Sequence, residues 1–179
     1  TSISMCEATT TNIDATITGG SLSTFWEVIP AASGTINPLP DENEIDFTPT
    51  AQGITNGTAI VRLTVTNSCG VVLPSLDTEI TIERQSIADA GTDGTVCDTD
   101  PITLDGSGSQ FVDTWQWSKP TGITGDLSFP NTSGPVYTPS ADDVLNASTL
   151  FPGGITFTLT TSSGTNCSSD TSTVTVNII

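Results

Sequence analysis

The chain has 179 residues and a mass of 18.4 kDa, with 20 acidic residues against three basic ones, a net charge of -17 and no histidine. A surface of that sign repels a polyanion, which excludes nucleic acid as a partner, and the missing histidine excludes a Ser-His-Asp triad, a Cys-His dyad and a His-ligated zinc site. A hydrophobic content of 35% beside 34 Thr and 20 Ser would suit a disordered chain, but the patterning decides against it.

Apolar residues alternate with Thr, as in Val61-Arg62-Leu63-Thr64-Val65-Thr66 and Ile155-Thr156-Phe157-Thr158-Leu159-Thr160. Period-two alternation marks strands with one buried and one wet face. Strands are predicted near 3–6, 13–18, 23–29, 34–37, 44–48, 58–66 and 76–83, then near 95–97, 102–105, 112–118, 126–129, 134–138, 154–161 and 170–178. No segment shows a sustained helical period, so the chain reads as all-β. No run of eighteen apolar residues occurs, so no direct membrane insertion is expected. The sequence starts at Thr1 and stops at Ile179 in strand-like stretches, as a segment of a longer chain would.

The second half repeats the first. Cys6 falls on Cys97, Trp26-Glu27-Val28 on Trp115-Gln116-Trp117, Phe47-Thr48-Pro49 on Tyr137-Thr138-Pro139, Ile60–Thr66 on Ile155–Thr161, and Cys69 near Cys167. Two tandem domains follow, 1–84 and 85–179, each with about seven short strands split by Gly, Pro, Asn and Ser clusters, the pattern of a two-sheet sandwich. A short linker, Arg84 to Gly91, would limit bending between them. Trp26 and Trp117 are expected in the cores, while Trp115 or Phe25 on the other face would be a weak sugar-stacking hint.

Two cysteines per repeat at matching places favour the intradomain disulfides Cys6–Cys69 and Cys97–Cys167 over the other two connectivities, and the absence of CxxC spacing argues against zinc. Disulfides place the protein outside the reducing cytoplasm. The start of the first strand and the turn between the last two would share one pole, so each bond would clamp the incoming strand to the final hairpin. Closing a loop of about 64 residues contributes roughly 4 kcal/mol in the chain-entropy model.

Acids divide evenly, ten per half, which reads as a solvating surface. The sharper alternative is calcium at the interdomain junction, with Asp89 and Asp93 as ligands and Asp98 and Asp100 close by. The cluster Asp41-Glu42-Asn43-Glu44 lacks EF-hand spacing and reads as a solvated loop. Nothing sets two carboxylates in a shared cleft for glycoside hydrolysis, so no enzyme is expected. The single lysine, Lys119, argues against isopeptide locks, and the acceptor triplets at Asn56, Asn131 and Asn146 are expected by chance in so Thr- and Ser-rich a chain.

The run Ala88-Asp89-Ala90-Gly91-Thr92-Asp93-Gly94-Thr95-Val96-Cys97, a Trp strand, Tyr137-Thr138-Pro139-Ser140-Ala141-Asp142 and the alternating strand from Ile155 to Thr161 resemble the Ig-like or PKD-like repeats of giant Bacteroidetes cell-surface adhesins. These include the SprB-type gliding-motility adhesins exported by type IX secretion. The resemblance covers both repeats and is specific to the repeat type more than to one protein. It implies Ig-like sandwiches in an extracellular, cell-surface stalk whose partners are adjacent repeats, and surface glycans or another surface protein. Unit one departs from the pattern, with Gly53-Ile54-Thr55 where the other has Asp142-Asp143-Val144. The alternative is a carbohydrate-binding or spacer module of a secreted glycan-degrading enzyme.

Overall fold

A computed structural model describes residues 1–18, 22–39 and 43–179, so Asp41 and Glu42 of the predicted acidic loop lie outside the described residues. Contacts divide the chain into two compact units, Thr1–Arg84 and Gln85–Ile179.

In unit 1 the elements are β1 (Ser2–Cys6), β2 (Thr11–Asp14), β3 (Leu22–Ile29), a 3-10 turn (Ala31–Ser33), β4 (Gly34–Pro38), β5 (Glu44–Pro49), α1 (Ala51–Asn56), β6 (Thr58–Asn67) and β7 (Leu76–Glu83). One sheet has the order β1-β7-β6-β3 and the other β2-β5-β4. Alternation along β6 buries Ala59, Val61, Leu63 and Val65 on one face. Ala59 and Val61 join Ile45 and Phe47 of the facing sheet, and Ile80 and Ile82 of β7, in one core.

Unit 2 repeats the plan with β8 (Gly94–Val96), β9 (Ile102–Thr103), β10 (Thr114–Ser118), β11 (Asp126–Ser128), β12 (Val136–Thr138), α2 (Ala141–Leu150), β13 (Ile155–Ser162) and β14 (Asp170–Ile178). Its sheets run β8-β14-β13-β10 and β9-β12-β11. Ile155, Phe157 and Leu159 of β13 meet Tyr137, Trp117, Val174 and Val176 in the core, with the Tyr137 and Phe157 rings 4.8 Å apart. Each such aromatic or aliphatic side chain, fully removed from water, contributes about 1.5–3 kcal/mol.

Pairing corrects the repeat alignment in two places. Trp26 lies opposite Leu63 and Trp117 opposite Leu159, so Trp117, and not Trp115, holds the place of Trp26. Ala59 pairs Ile80 as Ile155 pairs Val176, so Ala59, and not Ile60, is the counterpart of Ile155. A slip of two residues keeps the faces and is invisible to a hydrophobic pattern, whereas a slip of one exchanges them. The two helices were not expected either. Each lies just after the fifth strand of its unit and is too short to establish a 3.6-residue period.

Candidate functional site

The two ends of each unit are where its first and last strands meet its cysteines. In both units the first strand lies alongside the last in parallel, Ser2 to Cys6 beside Glu79 to Glu83, and Gly94 to Val96 beside Val176 to Ile178. Further bonds extend each ladder. The Glu79 N–H donates to the Thr1 carbonyl (2.9 Å) and the Glu7 N–H to the Glu83 carbonyl (2.9 Å), while Asp98 N–H donates to the Ile179 carbonyl (3.0 Å). Near the hairpin end of unit 1, Arg62 donates two bonds to Asp77 across β6 and β7 (2.8 and 2.9 Å). The bond from Arg62 holds the Asp77 carboxyl below its ordinary range.

Parallel pairing overturns both predicted disulfides. Cys69 and Cys97 are free and exposed, whereas Cys6 and Cys167 are disulfide-bonded, so neither Cys6–Cys69 nor Cys97–Cys167 forms. Cys6 stands beside Glu83, at the exit end of β7, while Cys69 sits in the turn that precedes Leu76 at the opposite end. Seven strand steps separate those ends, about 23 Å, and a disulfide needs Cα atoms within about 7 Å. The same holds in unit 2, where Cys97 follows Val96 beside Ile178 and Cys167 precedes Asp170. The expected clamp requires Cys6 at the start of its strand, whereas it is the last residue of β1.

Both helices dock their N-termini on the connection that follows the third strand, by different chemistry at one position. In α2 Ser140 caps, accepting from the Asp143 N–H (3.1 Å), and the Asp143 carboxylate answers by accepting from the Ser140 N–H (3.2 Å), a capping box. The same carboxylate, buried at 2% exposure, also accepts from the N–H groups of Thr124 (2.9 Å) and Gly125 (2.6 Å) and from the Tyr137 hydroxyl (2.9 Å). Desolvation alone would raise its pKa, but the bonds from Thr124, Ser140, Gly125 and Tyr137 outweigh that cost and lower it to about 2. Burial, with this carboxylate as neighbour, pushes the Tyr137 hydroxyl far above its ordinary value.

In α1 the cap is Thr50, which accepts from the Gly53 N–H (3.3 Å), and Gly53 is the counterpart of Asp143. There the Ser33 carbonyl fills the space a side chain would need, and the Thr50 hydroxyl donates to the Ala32 carbonyl. Asp143 was singled out in the sequence only as a departure between repeats. The Ser140-x-x-Asp143 spacing before an apolar residue was the signal that identifies a capping box.

The remaining candidates are dispersed. Trp117 is in the core and its indole N–H donates to the Thr132 carbonyl (3.1 Å), while Trp26 is half-buried against the core of unit 1. Trp115 is not an exposed platform: it shares the face of Trp117 and packs half-buried against the same core. Phe25 is 63% exposed and borders, with Trp26, Ile36 and Pro38, an open cavity of about 550 Å³. Asp89 accepts from the Gly91 N–H (2.9 Å), bracing its own turn, and Asp93 from the Thr175 N–H (2.8 Å), tying the approach to β8 onto β14. Among the described residues no three Asp, Glu, Cys or His side chains group as metal ligands, and no helix is long and apolar enough to cross a membrane.

No protein-family model matches the chain, and no curated protein matches it. Solved structures do. The extracellular domains 3–5 of Drosophila OTK superpose with a TM-score of 0.60 at 10% identity, covering 99% of this chain and 59% of that one. The I-band fragment I67–I69 of titin gives 0.57 at 11% identity, covering 99% and 62%. The chain thus spans about three fifths of the length of these structures, and the likeness establishes the fold: Ig-like β-sandwich repeats.

Proposed function

We propose that the chain is a non-catalytic, force-carrying spacer of a large repetitive extracellular protein of adhesin type, the Bacteroidetes surface adhesins of gliding motility being the specific family its sequence resembles. The observation that supports this reading is the parallel pairing of first and last strands in each unit. A pull that draws Thr1 away from the hairpin end and Glu83 away from the exit end slides β1 along β7, so the ladder bonds resist together and not one after another. Adjacent repeats are then the partners that pass the force along. A uniform negative charge keeps neighbouring stalks apart.

Single-molecule pulling on the reduced chain tests it. Drawn by its termini, the chain should unfold in two events of about 300 Å each, at ~3.6 Å per residue. Each should need clearly more force than unfolding unit 1 of a Cys97→Ser chain held at Thr1 and Cys69, where the same ladder opens bond by bond. Equal forces in the two geometries would end the spacer reading. Calcium bracing by Asp89 and Asp93 is an accessory part of the proposal. Binding would raise the melting temperature in millimolar calcium above that in chelator, and equal melting would remove it.

The exposed Phe25 beside Trp26 supports a second reading, a carbohydrate-binding module. Aromatic faces stack on sugar rings, so soluble polysaccharide should then retard the chain in affinity electrophoresis, and Phe25→Ala should abolish the retardation. No retardation of the unmodified chain by a broad polysaccharide panel would count against that module.

A further inference from the structure

The stretch ahead of β8, read from the sequence as a linker, belongs to unit 2 from Gln85 onward. The Gln85 side-chain amide donates to the Ser168 hydroxyl (3.0 Å) and the Ser86 hydroxyl to the Thr161 carbonyl (3.1 Å). Ile87 exchanges both of its backbone bonds with Gln110 (2.9 Å each). The Ala88 N–H donates to the Asp170 carboxylate (2.9 Å), the Asp89 N–H to the Ser109 hydroxyl (3.0 Å) and the Ala90 N–H to the Ser172 hydroxyl (3.1 Å). Residues 86–90 thus form a strap that runs beside the start of β14 in the same direction as β8.

Three features loosen this strap. The side chains it buries are among the smallest, with Ser86 and Ala90 at 1% exposure and Ala88 half-buried, while Ile87 turns outward at 49%. Little apolar area therefore holds it to the sandwich. Its bonds, those of Ile87 apart, start or end on side chains, which water replaces at small net cost, whereas β8 beyond it has a backbone ladder to β14. The third feature is what the strap encloses. Thr161 is fully buried and lies opposite Trp115, and the Thr161 hydroxyl and Trp115 indole N–H are both buried with no partner among the described residues. Ser86 lies directly against Thr161, and Ala88 and Trp115 pack on the same core. A buried polar group without a partner costs its full desolvation, and water supplies the partner once the strap lifts. Strand pairing makes Val65 the counterpart of Thr161, so unit 1 has no such hydroxyl at that position.

We propose that residues 86–90 are a lid on unit 2 that lifts while both of its sheets stay folded, and that the unpaired Thr161 hydroxyl and Trp115 indole set how often it lifts. The closed lid carries the cost of those two groups and the open lid does not, so they shift the balance toward opening. Lifting frees chain ahead of β8 and lets water reach the Trp115 end of the core, while the β8–β14 ladder keeps the sandwich closed. The inference goes beyond the spacer reading and does not depend on it, since it concerns unit 2 at rest.

The test is native-state hydrogen exchange of the full chain, under conditions where exchange follows the opening equilibrium. The Ala88 and Ala90 amides should exchange roughly a hundredfold faster than the slowest amides of β13 and β14. Thr161→Val keeps the side-chain shape and removes one unpaired group, so protection at Ala88 and Ala90 should rise about fivefold or more. The slowest β13 and β14 amides should gain the same factor, because the hydroxyl meets water in the open and the unfolded states alike. Exchange of Ala88 and Ala90 only together with those slowest amides would mean that no lid lifts. A gain confined to β13 and β14 would show that Thr161 stays buried when the strap opens. A loss of protection would show that its hydroxyl has a partner, and no change would show that it carries no cost. Each of these four results overturns the proposal, and the first comes from the unsubstituted chain, so it decides even where the variant does not fold.

Discussion

Replacing Asp143 with asparagine should destabilise unit 2 by roughly 3 kcal/mol or more, a large share of the stability of so small a domain. The buried carboxylate is the common acceptor for the Thr124, Gly125 and Ser140 N–H groups and the Tyr137 hydroxyl. An amide offers one oxygen and turns an NH2 group on donors of which the Gly125 N–H and the Tyr137 hydroxyl are buried. Tyr137→Phe removes one of those four bonds and should cost only about 1 kcal/mol. Hydrogen exchange of the β13 and β14 amides would report unit 2 alone. A loss for Asp143→Asn no larger than for Tyr137→Phe would show that the carboxylate is not the keystone.

The same group fixes a pH dependence. Its folded-state pKa, about 2, lies below the ordinary carboxylate value of 3.8. Its contribution is therefore complete above the unfolded value and is lost as pH falls through 4 toward 2, where the folded carboxylate also takes a proton. Protection in β13 and β14 should weaken over that window in the unsubstituted chain. Asp143→Asn should be weakly protected throughout and show a shallower fall, since the lowered pKa has been removed with the group.

Gly53→Asp, which gives unit 1 the residue that unit 2 uses at the same position, should be among the most damaging single changes in the chain. A Cβ at Gly53 would stand 1.9 Å from the Ser33 carbonyl oxygen, which is backbone and cannot swing aside. Ser33 is fully buried, its N–H donates to the Pro30 carbonyl (2.8 Å), and its carbonyl accepts from the Thr50 N–H (3.2 Å). The turn would have to move as a whole, at about 3 kcal/mol or more, which for a domain of this size lowers the melting temperature by about 12 °C or more. Gly53→Ala should do almost as much, because the clash is with the Cβ itself. A drop of only a degree or two for Gly53→Ala would mean that the α1 contact is loose.

The repeats thus solve one packing problem in two ways that cannot be exchanged singly. Unit 2 places the small residue in the loop, since a Cβ on Gly125 would meet the Asp143 carboxylate at 2.5 Å, and sets the acid on the helix. Unit 1 places the small residue on the helix and brings loop backbone up to it. Compensating pairs of this kind are invisible to an alignment that compares one position at a time.

Strand positions were legible from the sequence because each strand has one buried and one wet face, and alternation records that directly: β3, β6, β7, β13 and β14 lie within a residue of their predicted bounds. The charge, the missing histidine and the repeat itself bounded the function classes by elementary chemistry, and a two-sheet sandwich followed from strand number and spacing, its Ig-like character from the resemblance to surface-adhesin repeats. The helices were not legible, since α1 has six residues and α2 ten, too few turns for a period to emerge, although the Ser140–Asp143 spacing did record the cap of the second.

Only the tertiary structure decided which sulfurs can meet. Cysteine count and matching places in the repeats favour bonds inside a unit, and one fact overturns them: β1 and β8 run parallel to the strands that end their units. Strand direction is a property of the pairing and leaves no mark on the alternation of either strand, because a parallel and an antiparallel neighbour bury the same faces. Composition and period determined what the elements are, whereas the direction in which the ends of each unit lie, and with it the fate of Cys6, Cys69, Cys97 and Cys167, came from the sheet.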